Sequence, residues 1–294
     1  MAIGVWTDGR LGNNLFQFAV MYAFSKKLNT HAFFTGNNIW HSLSYFDCRY
    51  HFQWQSFWTF LLVRMRYLLK ASHPERFLGL TVVNQKNINS PEAISIEDNS
   101  YFIGYFQNDA YFSDLLPEIQ EILQIRKRYR TQFEIQKADL LSKDYIVLHF
   151  RRTDYQIWKH SEGLGPRDLS LPLIYYHRAL KEIKHKVESL DNYPIVIVGD
   201  QVDDLEEEFS DYPNVRIEHN DPIIDFQILL HGKHLVISNS SFAWWGATLN
   251  TTVESVIAPK YWLGFKVRKE YPNTIVRENW EEVDVSDLFE ECQR

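Results

Sequence analysis

The sequence predicts an α/β protein built on parallel sheets, and two observations carry that expectation. From Tyr145 onward, short apolar runs alternate with segments of helical period, the rhythm of strands and helices in a doubly wound sheet. The amino terminus opens with a unit of the same kind, a strand over Ile3 to Thr7, a turn, and an apolar helix from Leu15. At 294 residues the chain exceeds what one hydrophobic core usually organises, so two domains or one large α/β unit are expected.

The first helix carries apolar residues at Leu15, Phe18, Ala19, Tyr22 and Ala23. It should close near Lys26, Lys27 and Asn29, where cations suit the helix C-terminus and asparagine tolerates a left-handed cap. Between 37 and 140, helical patterns over Gln55 to Lys70 and Asp114 to Arg128 flank a possible strand at Tyr101 to Tyr105. The run Tyr145 to Phe150 is apolar without alternation, as in a parallel strand covered on both faces. Ser170 and Pro172 then open a helix whose period runs through Tyr176, Ala179, Leu180, Ile183, Val187 and Leu190. Further strands are expected over Pro194 to Asp200, Val215 to Ile217, His234 to Ser238 and Ser255 to Ala258. Helices fall between them over Asp203 to Phe209, Asp221 to Leu230 and Ala243 to Leu249.

Composition narrows the function. The 45% hydrophobic and 23% charged content is that of an ordinary globular protein. A net charge of −7, from 31 Lys+Arg against 38 Asp+Glu, opposes nucleic acid as a partner. Cys48 and Cys292 stand far apart with no CxxC or Cys/His cluster, so neither a disulfide framework nor a zinc site is expected, and a reducing, cytoplasmic compartment fits. The start of the chain lacks the pattern of an export signal. The apolar run Phe57 to Val63 is cut by Arg64 and Arg66 far short of the ~20 residues a spanning helix needs. The run Arg126 to Arg130 reads as a solvated helix end, with peripheral contact to anionic headgroups as the alternative.

In a doubly wound sheet, ligands sit outside the carboxyl ends of the strands. The polar residues gather there: His149 to Arg152, Gly199-Asp200, Ser238 to Ser241 and Pro259-Lys260. Adjacent arginines leaving a buried strand need a carboxylate or a phosphate for their donors. Either Arg151 and Arg152 hold a phosphate, or one of them forms an internal pair with Asp154 or Asp225. Ser238-Asn239-Ser240-Ser241 precedes a helix, where hydroxyls and backbone N–H groups suit both a cap and an anion site. Asp200 is either a turn residue or a contact to a nucleotide's base or ribose, and Trp244-Trp245 is read as core before sugar platform. Gly9 to Asn14 matches neither GxGxxG nor GxxxxGK[ST], so its polar side chains are read as facing a reacting group or acceptor.

Three separated motifs together resemble the α-1,2-fucosyltransferases of glycosyltransferase family 11. They are Gly9-Arg10-Leu11-Gly12-Asn13-Asn14-Leu15-Phe16-Gln17, His149-Phe150-Arg151-Arg152-Thr153-Asp154-Tyr155, and Ser238-Asn239-Ser240-Ser241-Phe242-Ala243-Trp244-Trp245. Weaker echoes are Gly104 to Gln107, Tyr175-Tyr176 and Ala258 to Trp262. The resemblance implies a GT-B-like pair of Rossmann-like domains, 1–141 on the acceptor side and 142–294 for the donor, which sits at the carboxyl ends of the C-terminal sheet. It further implies inverting transfer of L-fucose from GDP-fucose to the 2-hydroxyl of a terminal galactose in an oligosaccharide or glycolipid, with no metal or cofactor required. The alternatives are another GDP-sugar or hydroxyl acceptor, or a noncatalytic saccharide-binding protein.

Carried onto this chain, Arg151 and Arg152 bind the diphosphate and His149 contacts the nucleotide, while Asp200, Ser238, Asn239, Ser240, Ser241 and Phe242 are read as further donor-site residues at the strand ends. Asp154 stands beside the arginines as base or anchor, and Asn13 positions the acceptor hydroxyl. Asn14 replaces the usual glutamine and Thr153 a common glycine, and Ala243 and Gly246 also vary. These departures bear on acceptor preference more than on donor use.

Overall fold

The computed structural model describes residues 2–36, 38–47, 79–85, 94, 96–158 and 163–293. The helical pattern over Gln55 to Lys70, the run Phe57 to Val63 and Cys48 lie outside them. Among the described residues, no helix is long and apolar enough to cross a membrane. The chain divides into two compact units, Met1–Arg126 and Lys127–Arg294.

The first unit contains strands β1 (Ala2–Trp6), β2 (His31–Phe34), β3 (Thr81–Asn84) and β4 (Ser100–Ile103), with helices α1 (Leu11–Leu28), α2 (Ile39–Leu43) and α3 (Leu116–Ile122). Its strands are all parallel in the order β2-β1-β4-β3. Helix α1 starts at Leu11, four residues before the apolar stripe suggested, and is buried almost all round, including the polar Asn14 and Gln17. A helix enclosed on every side shows little amphipathic period, which hides its true start. Asn29 closes it in the left-handed conformation (φ 47°) after Lys26 and Lys27, as expected.

The pattern read over Asp114 to Arg128 is interrupted. Backbone groups at 124–126 turn away from helical partners: the Asp47 N–H donates to Gln124 O and the Arg126 N–H to Tyr45 O, while Ile125 bridges Phe46.

The second unit contains α4 (Lys127–Gln136), α5 (Ala138–Leu141), β5 (Ile146–Phe150), α6 (Thr153–Gln156), α7 (Leu173–Lys184), β6 (Ile195–Gly199), α8 (Leu205–Glu208), β7 (Val215–Ile217), α9 (Pro222–His231), β8 (His234–Val236), α10 (Ser241–Leu249), β9 (Ser255–Pro259) and β10 (Glu281–Val283). Its sheet is parallel throughout, in the order β10-β9-β8-β5-β6-β7. The core strands are fully enclosed, with Ile146, Val147, Leu148, Val196, Ile197 and Val198 at 0% exposure. Tyr175 and Tyr176 of α7 reach across, donating to Ile237 O and His149 O.

The division falls after Arg126, where the sequence suggested 141/142. Helices α4 and α5 are bound to the second sheet by buried contacts. Lys137 pairs with Glu218, and Phe133 stacks on His231 with centroids 5.3 Å apart. The Gln227 side chain donates to Tyr129 O.

Candidate active site

Strand β5 has β6 on one side and β8 on the other, so the chain reverses its winding between β5 and β8. At such a switch point the loops leave in opposite directions and open a crevice beyond the strand ends. The two motifs singled out in this half lie there.

Arg151 and Arg152 follow the last residue of β5 with side chains 18% and 13% exposed. Arg151 forks between two carboxylates, Nη2 to Asp154 Oδ1 at 2.7 Å and Nη1 to Asp200 Oδ2 at 2.9 Å. Arg152 Nη1 donates to Asp204 Oδ1 at 2.6 Å and to Gln201 O at 3.0 Å, and its guanidinium lies over the Phe150 ring. Both arginines are therefore paired with carboxylates. Asp154 is one of them, as the internal-pair reading held. Asp225 is not: it accepts from Asn220 Nδ2 at 2.9 Å.

Asp200 is the hub. Its Oδ1 accepts the Arg152 backbone N–H, and its Oδ2 accepts from Arg151 and from the Thr153 hydroxyl. With both oxygens engaged it anchors the arginine segment. Thr153 thus acts through Asp200, a role no glycine could fill.

His149 and Ser238 face each other across the switch point, Nδ1 to Oγ at 2.8 Å, both buried. Burial pushes the His149 imidazole down to about 3, with Asp200 opposing and Arg151 reinforcing. The ring is neutral at working pH. Asn239 is fully buried, its Nδ2 donating to Leu169 O and its carbonyl accepting from the Tyr155 hydroxyl. These three residues brace the loops from beneath.

Ser240 is buried before α10, and Ser241 and Phe242 at its start are half-buried. No side-chain cap forms at Ser240, contrary to the expected capping role. A nine-residue helix without a side-chain cap presents its first N–H groups and positive dipole end to whatever lies above it. Phe242 packs near His149 and against Phe226. Trp244 and Trp245 are fully buried core residues, as read. Lys260 turns to Asp284, 3.5 Å away.

A cavity of about 720 Å³ opens at the ends of β6 and β7, lined by Gln132, Lys137, Gly199, His219, Asn220 and Asp221 among others. Sequence reasoning did not find it, because its walls come from α4 and from two loops without a shared motif. Beside it, the buried Asp225 carboxyl is pushed up to about 7 by desolvation, with Asn220 opposing and the Glu218 charge reinforcing.

A carboxyl raised above its ordinary 3.8 holds its proton more tightly when folded, so it adds stability as pH falls through 7. Asp225→Asn removes the buried charge, so its stability advantage over the parent should be about 2 kcal/mol larger at pH 8 than at pH 5.5. Urea unfolding of both proteins at the two pH values measures this, and a pH-independent difference would contradict it.

In the first unit, the glycine turn is braced in the same way. Asn14 Nδ2 donates to Asp8 O, its Oδ1 accepts from Ser42, and Gln17 Nε2 donates to Gly104 O at 2.9 Å. Asn14 is fully buried, so its departure from glutamine is first a matter of packing. Asn13 is only half-buried, and its Oδ1 accepts from Gln107 Nε2 at 2.8 Å, joining the first motif to the Gly104 to Gln107 echo.

Comparison with known proteins agrees with this architecture. The chain is 25% identical over 288 residues to the O-antigen biosynthesis glycosyltransferase WbnK of Escherichia coli, covering 87% of this chain and 93% of that protein. It is 28% identical over 183 residues to an alpha-1,2-colitosyltransferase of Escherichia coli, covering 60% and 59%. The NodZ alpha-1,6-fucosyltransferase, in a crystal soaked with GDP-fucose, superposes with a TM-score of 0.52 at 10% identity over 87% of this chain and 93% of that one. The α/β fold is thus GT-B-like. Residues 2–284 match the family described as Glycosyl transferase family 11, and the chain belongs to that family of glycosyltransferases.

Proposed function

We propose that this glycosyltransferase moves L-fucose, with inversion, from GDP-fucose to the 2-hydroxyl of a terminal galactose in an oligosaccharide or glycolipid, without a required metal. The observation that carries the reading is the arginine pair at the switch point, aimed by Asp200 and standing beside the motif that opens α10. Breaking the sugar–phosphate bond builds negative charge on the departing diphosphate. Fixed cations and helix dipoles stabilise that charge most in the transition state. Arg151, Arg152 and the first N–H groups of α10 are the groups of this chain suited to the task. The cavity beyond Gly199 has the volume and the polar lining to take the nucleoside, with the diphosphate on the arginines.

His149, Ser238 and Asn239 are read as supports for the contacts made by Arg151, Arg152, Ser240, Ser241 and Phe242. Asp154 is bound to Arg151 and is assigned to orienting it. Asn13 is assigned to the acceptor hydroxyl as a positioning amide. A cytoplasmic location goes with a nucleotide-sugar donor of this class.

A second reading has one specific support, the similarity to an alpha-1,2-colitosyltransferase: the transferred sugar is colitose. Incubation with the fucosyl and colitosyl donors and a panel of galactosides, with product linkage read by NMR, separates the two. A 2-linked fucosyl product is expected. No GDP release above background with any acceptor would refute both.

A further inference from the structure

The two guanidiniums at the end of β5 face three carboxylates, Asp154, Asp200 and Asp204. The cluster sums to one negative charge, an unfavourable greeting for a diphosphate. Arg152 makes its side-chain hydrogen bonds to Asp204 and Gln201 through Nη1, and the negative balance favours release of a carboxylate from its arginine as phosphate oxygens arrive.

The three are not equivalent. Asp200 is fixed by the Arg152 N–H, Arg151 and Thr153 together. Asp154 sits in the single turn of α6, paired with Arg151 at i+3 and reached by the Thr153 hydroxyl at 3.3 Å. Asp204 is 69% exposed and stands just before α8 without capping it. Its ion pair is with Arg152. Arg152 in turn has two further restraints, the Gln201 carbonyl and the Phe150 ring 5.4 Å away. Asp204 can therefore swing into solvent without unseating Arg152, and exposed ion pairs of this kind are weak.

We infer that Asp204 is an exchangeable internal counterion, which pairs with Arg152 and surrenders it to the donor's diphosphate. The inference rests on the nucleotide site proposed above. It makes Asp204 a determinant of donor and product affinity, because donor binding competes with its ion pair and the departure of GDP is assisted by the return of that pair. A residue that merely positioned Arg152 would have the opposite sign, since its loss would weaken binding.

The test is calorimetric titration of the full chain and of Asp204→Asn with inorganic pyrophosphate and, separately, with GDP. Asp203→Asn is the control: it removes the same charge from the same turn, but Asp203 is 85% exposed and faces His219 at 3.6 Å. Asp204→Asn is expected to bind both probes about fivefold more tightly, and Asp203→Asn less than twofold more tightly. Equal effects of the two substitutions, or weaker binding by Asp204→Asn, would overturn the inference. Pyrophosphate keeps this test separate from the nucleotide reading. Binding of pyrophosphate but not GDP would refute that reading while the Asp204 comparison stands, and no pyrophosphate binding by either protein would refute the counterion.

Discussion

Arg151→Ala is expected to lower kcat/KM at least a hundredfold in a protein that still folds. Loss of one preorganised group that stabilises developing transition-state charge raises a barrier by about 3 kcal/mol, and Arg151 is the better anchored of the two arginines. Its fork spans Asp154 and Asp200, which fixes the guanidinium plane. The fold should tolerate the change. Asp154 is 41% exposed and is left to solvent, while Asp200 keeps its contacts to the Arg152 N–H and the Thr153 hydroxyl. The stability loss should stay near 1 kcal/mol. Arg151→Lys retains the charge but cannot bridge both carboxylates, so it should recover only a small part of the activity. Steady-state GDP release on an active acceptor, alongside a melting curve, measures both. Activity within tenfold of the parent would reduce Arg151 to a structural ion pair.

That expectation starts from residues that the sequence exposes directly. Enclosed parallel strands must be apolar on both faces, so β5, β6 and β9 stand out as continuous runs, and the polar residues at their carboxyl ends mark the site. The arginine pair is legible for the same reason, since charge beside such a run needs either a phosphate or an internal carboxylate for its donors. Side-chain partnership is much less legible. Asp154 and Asp225 were equal candidates for the arginines, and only the path of α9 turns Asp225 toward Asn220 instead. The anchoring role of Asp200 depends on the backbone at Gly199, and the place of Asp204 depends on a turn that carries no motif. Strands β3 and β10 escaped notice because they expose Thr81 and Val82, and Glu281 and Glu282, which breaks the apolar pattern of an enclosed strand, and β2 follows the end of α1 almost directly. Asn14 looked like an acceptor determinant because a polar residue in a glycine turn suggests function. Its complete burial shows a hydrogen-bonding staple inside α1.

Gly199→Ala should have the second large effect, and it joins backbone geometry to the site. Gly199 has φ +138°, a conformation that side chains rarely adopt, and an added Cβ would lie 2.1 Å from Phe150 O and 2.9 Å from Phe150 C. Those are backbone atoms of β5, one residue before Arg151, so no rotamer change can make room. Displacing that backbone should destabilise the protein by about 3 kcal/mol, the range of strain at a special φ/ψ. For a protein of this size the shift is about 6–12 °C in Tm. Gly163→Ala provides the contrast. Gly163 also has positive φ (+78°), but its added Cβ meets only Lys269 Nζ at 4.0 Å, so it should lose no more than about 1–2 kcal/mol. The remaining folded Gly199→Ala protein should also lose kcat/KM, because the close approach of β6 to β5 is what brings Asp200 within reach of Arg151. Equal melting shifts for the two substitutions would mean that the approach of the strands carries no special weight. A larger shift at Gly199, accompanied by lost turnover, would make the same backbone contact responsible both for closing the sheet and for aiming the arginine.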